Sequence, residues 1–129
     1  MFNVADSENI SEENRMLLEG SYYSEALSNH KLILVEPEKN IFGFASVYDL
    51  YTSDYNYKTM YMYQLFAYDE TEGFVELISC PFDSEWGAFY PRAIYIGEYL
   101  YIVDFECNMY IYSMNDYSYV GMVETAGVE

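Results

Sequence analysis

Basic residues are scarce in this sequence. Lys and Arg together number 5, against 22 Asp and Glu, which gives a formal net charge of −17 over 129 residues. Because proteins neutralise the phosphate backbone of nucleic acids with Lys and Arg, this shortage excludes a nucleic-acid partner. Long apolar runs are missing as well. No run approaches the roughly 18 residues of a transmembrane helix, so we expect no membrane span.

Cysteine and histidine are also rare. The two cysteines, Cys80 and Cys107, are too few for a disulfide framework. We expect two buried free thiols, although the pair can also join in an oxidising compartment, so their redox state stays open. The single histidine, His30, excludes a His-rich metal site and a two-histidine catalytic arrangement. We expect a hydrogen-bonded structural histidine at the base of the first strand set.

The N-terminal region has a composition of its own. Residues 1–12 are acidic and lack a basic stretch followed by an apolar one, so no signal peptide is predicted. Residues 11–14 place a hydroxyl and acids before an apolar triplet at 16–18, which predicts a short helix ending at Gly20. Residues 24–27 predict one more helical turn. We therefore expect residues 1–30 to form a partly helical segment.

From Lys31 onward the sequence predicts short strands. Turns separate the apolar runs: residues 37–40 begin with Pro and end with Asn40, and the Gly97-Glu98 pair suits a two-residue hairpin. No helical periodicity intervenes, which favours antiparallel strands over parallel crossovers. The eight predicted strands are 32–35, 41–44, 60–68, 74–78, 93–96, 99–105, 109–114 and 119–123.

The strands divide into two sets of four that can be overlaid. The turn at 68–70 aligns with the turn at 114–116, and an insertion at 46–59 lengthens the first set. A repeat of roughly 40–50 residues with four strands per unit is typical of propeller blades. We therefore predict an all-β fold of two four-stranded antiparallel meander sheets within residues 31–129. Blade one spans about 31–80 and blade two about 92–124.

Both faces of several strands are apolar, as at 32–35 and 100–103. A sheet with one wet face alternates polar and apolar residues instead, so we expect the two sheets to pack face to face. Residues 1–30 or a second copy of the chain are then needed to cover the outer faces. Three or four copies would complete a ring of six or eight blades. Repulsion between copies of charge −17 opposes ring closure and makes a dimer equally acceptable.

Acidic residues are the first candidates for chemistry. Asp83 with Glu85, or Asp104 with Glu106, have the alternate spacing that places two carboxyl groups on one strand face, as a glycosidase requires. With so many acids, such pairs arise by chance, and a solvated acidic surface is the better interpretation. Residues 69–73 are rich in oxygen but break the calcium-loop pattern, so turn chemistry is favoured over calcium. We predict no catalytic, cofactor-binding or metal-binding residue.

An aromatic loop at 82–91 links the two strand sets and contains the single Trp of the chain. Aromatic rings beside carboxylates can stack on a sugar or anchor a partner protein, but packing over the bottom of the sheets is the favoured interpretation. The candidate residues for a protein or glycan partner are Trp86, Phe89, Tyr90, Asp83 and Glu85.

Several stretches resemble the C-terminal part of a bacterial secreted β-propeller family distantly related to WD-type repeats. The most specific is 24–31, Ser-Glu-Ala-Leu-Ser-Asn-His-Lys; residues 14–22, 36–40, 68–74 and 92–101 follow the same order along the chain. The resemblance implies a propeller outside a bacterial cell and assigns no activity to particular residues. Members look longer, with a secretion signal and more blades, so this chain is either a terminal portion or a small protein in its own right.

Together these features predict a non-catalytic binding or scaffold module with a protein or glycan partner. A fragment of an extracellular hydrolase that uses acidic residues is the alternative from another class. An inert, truncated remnant of a larger propeller is the third. A concave pocket with a perturbed carboxyl pair would indicate the hydrolase, whereas an exposed aromatic patch would indicate the binding module.

Overall fold

The computed structural model describes residues 1–51, 57–83 and 91–125. The chain begins with a two-stranded ribbon of β1 (Phe2–Asn3) and β2 (Ser11–Glu12). The first sheet contains β3 (Ser21–Tyr23), β4 (Leu34–Glu36), β5 (Ile41–Tyr51), β6 (Tyr57–Asp69) and β7 (Gly73–Asp83). Strands β3 and β4 both pair with β5, so the five strands occupy four positions in the sheet.

The second sheet is a four-stranded antiparallel meander. It contains β8 (Arg92–Ile96), β9 (Tyr99–Val103), β10 (Met109–Ser113) and β11 (Tyr119–Val123). Helical structure in the described residues is limited to single 3₁₀ turns at Glu25–Leu27, His30–Leu32 and Pro37–Lys39. The predicted all-β fold of two antiparallel sheets is confirmed.

The turn chemistry agrees with the sequence at three places. Gly97 has φ 61° in the hairpin between β8 and β9, and Asn40 has φ 53° before β5, both in the left-handed region. The Ser24 hydroxyl accepts a hydrogen bond from the backbone N–H of Ala26 and begins the predicted helical turn. Local signals therefore placed these chain reversals correctly.

The two sheets pack face to face around one core. Alternate residues of each central strand point inward, as Tyr63 and Leu65 do on β6 and Leu100 and Ile102 do on β9. The buried members of this core are Ile41, Ala45, Tyr63, Leu65, Ile78, Cys80, Phe82, Leu100, Ile102 and Met114. The predicted face-to-face packing is confirmed.

Residues 14–19, which we call the strap, cross the outer face of the first sheet. The predicted helix is wrong here, because residues 11 and 12 form a strand and residues 13–18 are irregular. Met16 and Leu18 line a pocket of about 190 Å³ with Phe42, Phe44, Phe66 and Phe74. An extended chain directs alternate residues to one side, and burial against this aromatic face outweighs the capping signal.

Two further expectations are corrected. The predicted strands 41–44 and 60–68 are too short, because residues 46–51 continue β5 and residues 57–59 belong to β6, where Asp49 pairs with Thr59. These residues lengthen the first sheet, as expected. His30 is exposed in its 3₁₀ turn, and its role as a hydrogen-bonded structural histidine stays a prediction. Cys80 is a buried free thiol as expected, whereas Cys107 is free and exposed, at φ 66° in a turn.

Candidate binding site at the end of the sheet interface

The turn between β9 and β10 forms one wall of a cleft at the end of the sheet interface. The Asp104 carboxylate accepts hydrogen bonds from the backbone N–H groups of Glu106 and Asn108, both at 2.9 Å. It also accepts from Nδ2 of Asn108 at 3.1 Å and from the hydroxyl of Tyr110 at 3.4 Å. An Asp that accepts from the backbone of its own turn fixes the turn conformation. Asp104 is therefore the organiser of this wall.

The cleft runs between this turn and the ends of β6 and β7. Its volume is about 340 Å³. The rings of Phe82 and Tyr110 meet edge to face with their centroids 5.0 Å apart, which joins the two sheets at the floor of the cleft. Its lining combines apolar side chains with two carboxylates, one amide and one phenol: Met60, Pro81, Phe82, Asp104, Phe105, Glu106, Asn108 and Tyr110.

Among the described residues that line the cleft, two are acids and none is a base. Glu106 is exposed, and Phe105 is half-buried beside it. Burial, followed by the nearby charge of Asp104, raises the pKa of Tyr110, so its hydroxyl remains a neutral hydrogen-bond donor. Burial likewise raises the pKa of the Cys80 thiol behind the floor, which makes it a poor nucleophile. The arrangement suits recognition of a cation or a polar group beside an aromatic ring.

Four of the five sequence-predicted site residues, Glu85, Trp86, Phe89 and Tyr90, lie outside the described residues. The backbone of the fifth, Asp83, ends β7 and pairs with Met60, which lines the cleft. Strand β7 therefore ends at the edge of the cleft, and the role of the aromatic loop in binding stays a prediction.

Sequence reasoning considered Asp104 and Glu106 only as a catalytic pair and missed Phe105, Asn108 and Tyr110. The structure places these five residues together, through one turn and the first residues of β10. The spacing of Asp104 and Asn108 around a tight turn is the signal that could have identified this wall. The signal was obscured because Asp and Asn in turns are common for conformational reasons alone.

The acid-rich turn at 69–73 behaves as turn chemistry predicts. The Asp69 carboxylate accepts from the N–H groups of Thr71 at 2.8 Å and Glu72 at 2.9 Å, and these bonds lower the pKa of Asp69. Gly73 follows at φ 79°. The turn at 114–118 joins the third and fourth strands of the second sheet, and there Asp116 accepts from the N–H of Ser118. The overlay of the two strand sets stays a prediction. Calcium binding, over which turn chemistry is favoured, stays untested.

Two antiparallel sheets that pack face to face, each with four strand positions, are consistent with a pair of propeller blades. The family model described as Beta propeller domain matches residues 1–117, and the chain belongs to this family. No curated protein matches the chain, and no solved structure matches it. Within the described ranges, no helix is long and apolar enough to cross a membrane.

Proposed function

We propose that this chain is a non-catalytic binding module that holds a basic segment of a partner protein in the cleft between its sheets. The observation that carries the proposal is the juxtaposition of aromatic rings with the exposed carboxylate of Glu106 in a concave site. Membership of the β-propeller family supports a binding or scaffold role. Arg and Lys side chains satisfy both features of the cleft, because they pair with carboxylates and pack on aromatic rings.

The charge of the whole chain favours the same class of partner. A net charge of −17 attracts basic partners and accelerates their encounter. Asp104 is already engaged by the N–H groups of Glu106 and Asn108, so the wall is organised before any partner arrives. A preorganised site loses less conformational entropy on binding.

The hydrolase alternative finds less support in this geometry. A general acid in a glycosidase must hold its proton near neutral pH, which requires a raised pKa. The Asp104 oxygens are instead engaged within their own turn, where they accept hydrogen bonds from the backbone N–H groups of Glu106 and Asn108. The described carboxyl groups with a clear pKa shift are Asp6, Glu12, Asp69 and Asp116, and each shift is downward.

A selection from a phage-displayed library of random decapeptides tests the proposal. We expect the selected peptides to be rich in Lys and Arg, and to bind about tenfold less tightly to Phe105→Ala and Glu106→Gln, the loss of one good contact. Glu98→Gln is the matched control, because it removes the same charge from an exposed turn between β8 and β9.

If Glu98→Gln and Glu106→Gln lower the affinity for the selected peptides equally, the binding results from general charge attraction. That result would overturn the cleft as the site. A set of neutral oligosaccharides provides the second arm, followed through the amide resonances of residues 105–108. If these sugars shift the amide resonances of residues 105–108 and Phe105→Ala leaves peptide binding unchanged, the partner is a glycan and not a protein.

We further propose that the module acts outside a bacterial cell. The support is the resemblance of residues 24–31 and the stretches around them to secreted propellers. Fractionation of the native cells with an antibody to the full chain tests this location. We expect the protein in the medium or at the cell surface, and an exclusively intracellular signal would contradict it.

A further inference from the structure

We infer that the outer face of the second sheet is a docking surface for a second copy of this chain. The face consists of the residues of β8–β11 that point away from the first sheet. The alternate residues Leu100 and Ile102 are completely buried inside, whereas Ile94 is 55% and Ile96 62% exposed on the outer side. Most side chains that the strand register places on this surface are apolar, among them Ile94, Ile96, Tyr101, Met109, Ile111 and Val123.

The face is free of acids in a strongly acidic protein. Arg92 is the single charged residue among its outward positions. The acids lie at its ends instead: Glu98 and Asp116 in the turns at one end, and Glu106 and Glu124 at the other. An apolar patch with a polar rim is typical of a protein interface. Because two copies of charge −17 repel each other elsewhere, they approach at this surface with the least repulsion.

The position of Arg92 favours a two-fold arrangement. Arg92 lies in the same row of the sheet as Val103, Met109 and Val123. A two-fold axis parallel to the strands places β8 of one copy over β11 of the other, with the same ends together. The guanidinium of Arg92 then lies beside Glu124, which follows Val123. An isologous interface repeats this ion pair on both sides of the axis.

The packing mode already exists within the chain, where the inner face of the same four strands packs against another β-sheet.

The size of the outer face sets the strength of the dimer. Four strands about 4.8 Å apart, each five residues long, cover a footprint of roughly 300 Å² per copy. Stable interfaces bury about 800 Å² per partner. We therefore expect a weak, concentration-dependent dimer rather than an obligate one.

Sedimentation equilibrium of the full chain tests this inference, at about 0.1 M and about 1 M NaCl. Salt shortens the range of charge repulsion from about 10 Å to about 3 Å, so we expect the dimer dissociation constant to fall about tenfold or more at high salt. Ile94→Asp buries two charges in each dimer, one from each copy. We therefore expect it to raise the dimer dissociation constant at least about 100-fold. Leu27→Asp, at an 85% exposed residue in the Glu25–Leu27 turn, adds the same charge elsewhere and is the control.

An exchange of the charges of Arg92 and Glu124 tests the two-fold arrangement. We expect Arg92→Glu to weaken the dimer and the double variant Arg92→Glu/Glu124→Lys to restore it. Circular dichroism confirms that each variant is folded. A chain that stays monomeric at about 1 mM in high salt overturns the inference and leaves a different protein as the occupant. Equal effects of Ile94→Asp and Leu27→Asp also overturn it, and failure of the double variant overturns the two-fold arrangement.

Discussion

The two sheets have the same antiparallel arrangement but differ in strand length. Strands β5, β6 and β7 contain 11, 13 and 11 residues, whereas each strand of the second sheet contains 5. The extra length extends the β5–β6 hairpin beyond the region that faces the second sheet. A longer sheet has more apolar surface to bury. The first sheet packs against the second sheet on its inner face and against the strap on its outer face.

The outer faces differ more than the inner ones. On the first sheet the strap lies over the rings of Phe42 and Phe66, which stack at a centroid distance of 5.5 Å. On the second sheet Ile94 and Ile96 remain exposed. One sheet thus buries apolar surface on two faces and the other on one. The second sheet therefore depends on its inner face for most of its stability.

The largest expected effect tests that dependence. We expect Leu100→Ala, at a completely buried residue of the inner face, to lower the free energy of unfolding by about 2–5 kcal/mol, because it leaves a cavity. Ile94→Ala removes an exposed side chain from the outer face, and we expect a change within about 0.5 kcal/mol. Urea unfolding at low salt and micromolar concentration, where copies do not meet, measures both.

Similar losses in the two variants would contradict the contrast between the faces. A loss below about 1 kcal/mol for Leu100→Ala would show that the inner face carries less of the stability than the burial of its residues indicates. A changed m-value in either variant would point to a change in the amount of surface exposed on unfolding.

Most of the fold was predictable from turns and apolar patterning. Asn40 and Gly97 mark reversals that require a left-handed backbone, and the apolar residues of β9 predicted the packing of sheet on sheet that its inner face shows. These signals depend on the residues themselves or on their near neighbours, so a single sequence contains them. The order of strands follows from short connections between them.

The errors have a common physical origin in tertiary contacts. The capping pattern at 11–14 predicted a helix, but the partial burial of Met16 and Leu18 against the phenylalanine face favours an extended chain. The predicted strands 41–44 and 60–68 were too short, because the end of β5 pairs with the start of β6 through Asp49 and Thr59. The cleft could not be predicted from local patterns, because its walls come from distant parts of the chain, such as Phe82 and Tyr110.

The second prediction concerns the cover of the first sheet. We expect the double variant Met16→Ser/Leu18→Ser to lose about 1–2 kcal/mol of unfolding free energy, because two partly buried apolar side chains leave the phenylalanine pocket. Leu17→Ser is the matched control, since Leu17 lies between them and is 79% exposed. Urea unfolding measures stability, and a hydrophobic dye reports exposure of the rings.

If Leu17→Ser and the double variant behave alike, the strap does not protect the first sheet. Dye binding that increases only in the double variant would confirm that the outer faces of the two sheets differ because one of them is covered. The dye should already bind the unmodified chain weakly through the exposed face of the second sheet.

The smallest expected effect compares the two faces of the first sheet through a pair of tyrosines. Tyr63 is completely buried on the inner face, and its hydroxyl has no hydrogen-bond partner among the residues that the structure describes. Tyr48 on the outer face donates to Oε1 of Gln64 at 2.7 Å. Because an unpaired buried hydroxyl is costly and a paired one is favourable, we expect Tyr63→Phe to raise the free energy of unfolding by about 1 kcal/mol and Tyr48→Phe to lower it by a similar amount.

The alkaline pH dependence provides an independent measurement on Tyr63. Burial raises the pKa of Tyr63 above its ordinary value. Above about pH 10 an unfolded tyrosine releases its proton while Tyr63 retains it, so the unfolded state binds fewer protons and stability falls as the pH rises. Tyr63→Phe removes this contribution, and we expect its stability to decline less steeply above pH 10 than that of the unmodified chain. An unchanged slope would contradict the raised pKa of Tyr63. Destabilisation of Tyr63→Phe at neutral pH would mean that its hydroxyl is paired through water and that the inner face is not dry.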